Sequence, residues 1–162
     1  MEIEMSIKGL SVDPITNMPI IVLRETGGER VLPIWVGVFE ANAIALQIES
    51  VQTPRPMTHD LLKSVIDELG GQLERIVVSE LKDSTFYATL RLRSRHGALT
   101  VDARPSDAIA LALRSGARIF VEEAVIQGAR SLGEPAGPDT GLRRVQKWLE
   151  GLSDEELGKY KM

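Results

Sequence analysis

Apolar and polar residues alternate from the start of the chain. Ile3, Met5 and Ile7 share one side of a strand, and the phase shifts after Gly9 to Leu10 and Val12. Such a shift at a glycine predicts a β-bulge. Asp13-Pro14 opens a turn, Pro19–Arg24 reads as a short apolar strand, and Gly27-Gly28 as a hairpin into Val31–Val36. Pro33 lacks an N–H for a ladder, which argues for an edge position or a break in the ladder.

The period then lengthens. Ile44, Ile48 and Val51 recur on one side of a helix over residues 39–50. Leu61, Leu62, Val65, Ile66 and Leu69 form the stripe of a second helix over 58–69, with Thr58 as its N-cap and the stripe expected to be buried. Thr53-Pro54-Arg55-Pro56 between them is a stiff extended connector. Strands follow at 73–80, 86–93 and 98–103. At Ala98–Arg114 alternation gives way to helical spacing within a few residues: Leu99, Val101 and Ala103, then Ile109, Ala112 and Leu113. Pro105 pre-sets the first helical turn, and Gly116 stands where a left-handed residue would close the helix. Ile119–Glu122 is one more short strand.

The order three strands then helix occurs twice. Ala43, Ile44, Ala45, Leu46 and Ser50 recur as Ala108, Ile109, Ala110, Leu111 and Ser115, so the expected fold is α+β, with mixed or antiparallel sheets built from a duplicated three-strand-plus-helix unit. Gly37 and Asn42 stand in the first copy where Asp102 and Asp107 stand in the second. Residues 1–130 make the expected domain and the Gly/Pro-rich stretch 131–141 a linker. The expected C-terminal helical tail, 142–162, has Leu142, Val145, Leu149 and Leu152 on one face and Trp148 as its anchor, with a capping box at Ser153 and Glu156.

Composition narrows the chemistry. The chain has 162 residues, no cysteine and a net charge of −4. Thiolate metal sites, a cysteine nucleophile and a disulfide framework are therefore excluded. The acidic start carries no basic flank followed by an apolar run, so neither a secretory signal nor a membrane association is expected, and the expected location is cytoplasmic. An acidic chain with 4% aromatic residues is not built for indiscriminate capture of phosphate backbones.

Three clusters are able to carry chemistry. Tyr87, Thr89, Arg91 and Arg93 share one strand face, suited to phosphate contact; the plain alternative is a solvated sheet face. Arg55, Thr58, His59 and Asp60 gather at a helix start, where a carboxylate also simply favours the dipole. At the strand-to-helix corner, Asp102 and Asp107 are able to hold a hard cation with Arg104 on a phosphate, the equipment of a metal-dependent phosphodiester hydrolase. An N-cap with an ion pair explains the same residues.

Several stretches together resemble the bifunctional nuclease family: Leu32-Pro-Ile-Trp-Val-Gly37 with Glu40-Ala41, Arg55-Pro-Met-Thr-His-Asp60, Arg104-Pro-Ser-Asp-Ala-Ile-Ala-Leu-Ala112, Ile119-Phe-Val-Glu122, and the tail with Trp148-Leu149 and Lys159-Tyr160. The resemblance implies a self-associating α+β domain with nuclease activity on DNA and RNA. Its recurrent polar positions fall on Glu40, Arg55, Thr58, His59, Asp60, Arg104, Ser106 and Asp107. The resulting expectation is a nuclease with Asp107, Asp60, His59 and Arg104 as catalytic residues and Arg55, Arg91, Arg93 and Ser106 on the substrate. Asp107, Asp60 and Asp102 would hold magnesium or manganese, and the partners would be nucleic acid and further copies of the chain. The alternative is a non-catalytic, oligomeric binding or regulatory domain.

Overall fold

A computed structural model describes residues 1–133. The linker and helical tail expected beyond them, Trp148 included, lie outside the described residues. Strands β1 (Glu2–Val12), β2 (Pro19–Glu25) and β3 (Val31–Trp35) form an antiparallel meander. The β1–β2 register slips between Ile7 and Gly9, as the phase shift predicts. Pro33 sits opposite Val22 on β3, an edge strand with an open side that needs no donor. Asp13 knits the β1–β2 turn, accepting from Ile15 N (2.8 Å), Thr16 Oγ1 (2.8 Å) and Trp35 Nε1 (2.9 Å).

Two helices follow, α1 (Val38–Ile48) and α2 (Thr58–Glu68), then a second meander of β4 (Gln72–Lys82), β5 (Thr85–Ser94) and β6 (Gly97–Ala103). Helix α3 (Pro105–Ser115), strand β7 (Arg118–Glu122) and helix α4 (Glu123–Gly133) complete the described chain. Gly116 closes α3 with φ +65°, the left-handed cap its position implies.

All seven strands join one mixed sheet in the order β3-β2-β1-β7-β4-β5-β6. β7 pairs antiparallel with β1 and parallel with β4. The architecture is α+β, with the meander-then-helix order on either side of β7. That repeat is one of element order.

Helices α1 and α3 pack together over the sheet. Their contact is made of small residues, with Ala41, Ala43, Ala45, Ala108, Ala110 and Ala112 all buried, which allows the backbones a close approach. Ile44, Ile109 and Leu111 fill the space beneath them, fully buried beside Ile76 and Val121.

Helix α2 departs from expectation. It packs on α3, yet none of its residues is buried; Leu61, Leu62, Val65 and Leu69 are exposed, and Ile66 alone of the stripe reaches the core. A period of 3.6 reveals an apolar face without revealing what covers it. Thr58 is the first helical residue and Met57 the N-cap. Val51, placed on the inner side of α1 by its spacing, lies beyond that helix and is exposed.

Candidate functional site

The site grows from three helix starts. The residue before each helix is extended: Gly37 at φ −69°, Met57 at −82° and Arg104 at −71°. None provides a side-chain cap. An acid stands at the third helical position of each, where its charge favours the helix dipole: Glu40 in α1, Asp60 in α2, Asp107 in α3. Asp60 Oδ2 accepts directly from Met57 N at 2.9 Å. Glu40 folds back over Gly37, where a Cβ would collide with Oε2.

Packing of α1, α2 and α3 brings two of these acids into one cavity of about 690 Å³, whose wall includes Glu40, His59, Arg104 and Asp107 above Leu90 and Val101. His59 Nε2 and Asp107 Oδ1 are 2.9 Å apart. Arg104 donates from Nε to Asp107 Oδ2 at 2.9 Å and from Nη2 to Glu40 Oε1 at 3.0 Å. The His59 side chain is only 12% exposed, whereas that of Arg104 is 68% exposed. Asp107, and then Glu40, hold the Arg104 guanidinium charged more firmly than in water. The result is a chain from imidazole to carboxylate to guanidinium to carboxylate, with its cation toward solvent.

Asp60 goes elsewhere. Adjacent helical residues lie about 100° apart around the axis, so His59 and Asp60 face different spaces. Asp60 lines a second cavity of about 310 Å³ with Arg55 and Arg114, and its Oδ1 accepts from Arg114 Nε at 2.6 Å. Arg114 also donates to Ala110 O at 2.9 Å and Ala43 O at 3.0 Å, so a single side chain joins α1, α2 and α3. It is 3% exposed. Burial works to raise the Asp60 pKa, but the Met57 N–H and Arg114 outweigh it and hold the carboxyl below its ordinary range. A pKa lower in the folded state gives stability that is full above the unfolded value and drains as pH falls through the folded one. Melting temperature should therefore fall steeply below about pH 4, and less steeply in Asp60→Asn; matching pH slopes for both proteins would refute the assignment.

The remaining candidates scatter. Leu90 lines the His59 cavity, so alternation sends Arg91 and Arg93 to the opposite face of the sheet. There Arg91 pairs with Glu2 at 2.5 Å and Arg93 with Glu74. Asp102 borders the cavity, but its alternation with Val101 and Ala103 aims its side chain to the Arg91 face. Ser106 is buried against a third space, shared with Trp35, Gly37 and Arg104. Arg114, which spacing did not single out, carries a signal of its own: a cation in the last turn of an otherwise apolar helix, one turn beyond buried Ala110.

Residues 21–132 match the bifunctional nuclease domain. The chain belongs to that family. Every residue of the His59 cluster, and Arg114, lies inside the matched span. An uncharacterized protein of Mycobacterium tuberculosis is 46% identical over 162 residues, covering 95% of this chain and 97% of its own length. Bifunctional nuclease 2 of Oryza sativa subsp. japonica is 30% identical over 80% of this chain, and bifunctional nuclease 1 of Arabidopsis thaliana 31% identical over 59%. The chain spans 41% and 31% of these two plant relatives' lengths.

Family membership raises the question of a metal. Among the described residues no three His, Asp or Glu side chains gather as a cation site. Asp107 gives its oxygens to His59 and Arg104, and Glu40 one of its own to Arg104. This arrangement does not fit the expected magnesium or manganese. Nor is any described helix long and apolar enough to cross a membrane.

Proposed function

We propose that this chain is a cytoplasmic nuclease that hydrolyses phosphodiester bonds in DNA or RNA at the His59–Asp107–Arg104 corner. The observation that carries the reading is the sharing of one carboxylate, Asp107, between a sheltered imidazole and an exposed guanidinium on a cavity wall. Arg104 turns from its carboxylates to a phosphate oxygen, the geometry for which a guanidinium fork is suited. Asp107 accepts from His59 Nε2–H, which leaves Nδ1 unprotonated as the base; this tautomer follows from the hydrogen bond. Water attacks phosphorus, its proton passes to Nδ1, and the bond to the leaving oxygen breaks, that oxygen taking up a proton from solvent, while Asp107 steadies the imidazolium. Three helix N-termini around the same corner add partial positive charge where the phosphate would lie.

A local trap of this kind suits an acidic chain. The plant relatives named bifunctional nucleases support the reaction class. A non-catalytic binding domain is the rival, and one observation favours it: Arg104 is tied by both Glu40 and Asp107. The deciding experiment incubates the purified full-length chain with single- and double-stranded DNA and with RNA, in magnesium, in manganese and with chelator. Cleavage that survives the chelator supports the residue-based mechanism. Cleavage that appears only with metal keeps the nuclease and overturns that mechanism. An absence of cleavage on all substrates, with binding retained, establishes the rival.

A further inference from the structure

Phe39 stands at the mouth of the His59 cavity with 88% of its surface in water. Among the described residues it is the most exposed of the large apolar side chains. A ring of that size left in water forgoes the stabilisation that burial would bring. Helix α1 does not need it, because Ala41, Ala43, Ile44 and Ala45 already make its buried side. The next residue, Glu40, accepts from Arg104 Nη2 at 3.0 Å. A bare aromatic face and an exposed guanidinium therefore share one rim.

From this pairing we infer that Phe39 is a stacking platform for a nucleobase, and that the site takes an unpaired strand. The base lies on Phe39 and the adjoining phosphate on Arg104. The inference rests on the reading of this corner as a nuclease site and adds which form of nucleic acid enters it. The occupant is fixed by what the two groups ask for together. A phenyl ring alone would accept any apolar partner. The guanidinium beside it, with three helix N-termini around the corner, asks for an anion on the same molecule. A nucleotide carries both, a flat π face and a phosphate joined by one sugar.

Base–aromatic stacking is tolerant of sequence, since every base has a π face. It is tolerant of the sugar for the same reason, so one platform serves DNA and RNA. In a duplex each base is already stacked and paired, and its face is not free; only splayed bases stack on a side chain. The cavity, about 690 Å³, has the size of a small-ligand site rather than of a double helix. Asn42 lies one turn along α1 from Phe39, is exposed, and lines the same cavity. Its carboxamide, both donor and acceptor, gives the platform a polar neighbour for the edge of a base.

The test separates base from phosphate. 2′-Deoxyadenosine 5′-monophosphate and 2-deoxyribose 5-phosphate share a sugar and a phosphate, differ only by the base, and hold no diester to cleave. By calorimetry the full-length chain should bind the nucleotide about 5- to 100-fold more tightly, the range that stacking one base on an aromatic ring is worth. Phe39→Ala should abolish that preference and leave the sugar phosphate bound as before, whereas Phe39→Trp should keep it. Circular dichroism confirms that each variant is folded. In cleavage assays a single-stranded oligonucleotide should be cut faster than the same strand annealed to its complement. Equal affinity for the two ligands, or a preference that survives Phe39→Ala, would overturn the platform and leave the nuclease reading standing. A duplex cut as fast as the single strand would overturn the unpaired-strand specificity. A base preference that depends on Phe39 in a chain that cleaves nothing would establish the platform and sink the nuclease reading instead.

Discussion

His59→Ala and Asp107→Asn should each lower the rate of phosphodiester cleavage by about 100- to 10,000-fold, the range a positioned base commonly contributes. The expectation follows from the 2.9 Å contact between His59 Nε2 and Asp107 Oδ1. Removing the imidazole removes the base. Replacing the carboxylate by an amide keeps the size but takes away the charge that steadies the imidazolium and selects its tautomer. Because the two act as one unit, the double variant should be little slower than the worse single one. Arg104→Gln should behave differently, since loss of a phosphate holder raises KM at least as much as it lowers kcat. Steady-state rates on one oligonucleotide, with thermal melts to confirm folding, check all four proteins. A His59→Ala enzyme of wild-type rate would place the chemistry elsewhere.

The largest effect on stability is expected at Arg114. Replacing it by Met keeps much of the stem but leaves Ala43 O and Ala110 O without their donor and Asp60 without its counter-ion. Stranding buried acceptors and a partly buried charge should cost about 3 kcal/mol. Asp60→Asn should cost less, because the two carbonyl bonds survive it. Urea unfolding of the single and double variants gives the coupling directly. Arg114 joins the three helices whose starts form the site, so Arg114→Met should also loosen His59 against Asp107. An unchanged midpoint for Arg114→Met would show that the clamp bears no load.

Much of the fold was legible because short-range physics decides it. The phase slip at Gly9, the edge-seeking Pro33 and the left-handed Gly116 each announce a backbone geometry that few other residues favour. The exposed face of α2 is not legible in this way, because amphipathicity records only that a surface is apolar. The polar site was partly legible. Asp107 with Arg104 is a local pair, three residues apart, and spacing points to it. His59 with Asp107 depends on how α2 leans on α3, and no spacing within either motif encodes that angle. Asp60 adjoins His59 in sequence and yet turns to Arg114, since one helical step is enough to carry it round to another cavity. Arg91 and Arg93 have the look of a phosphate-binding stripe until the N-terminal strand region supplies Glu2 and the start of β4 supplies Glu74.

The position of β7 has a consequence for how the chain reaches this structure. A ribosome delivers β1 first and β7 among the last of the strands, yet β7 lies between β1 and β4 and hydrogen-bonds to both. Until residues near 120 emerge, each meander waits as a half-sheet with a bare rim, and the two cannot join. Closing a loop of that length carries an entropic cost, and contacts so distant in sequence slow folding. The final wedge is thus the cooperative event: a nascent chain halted before Arg118 holds two unpaired rims, the kind of surface that chaperones shield and that neighbouring chains would otherwise find.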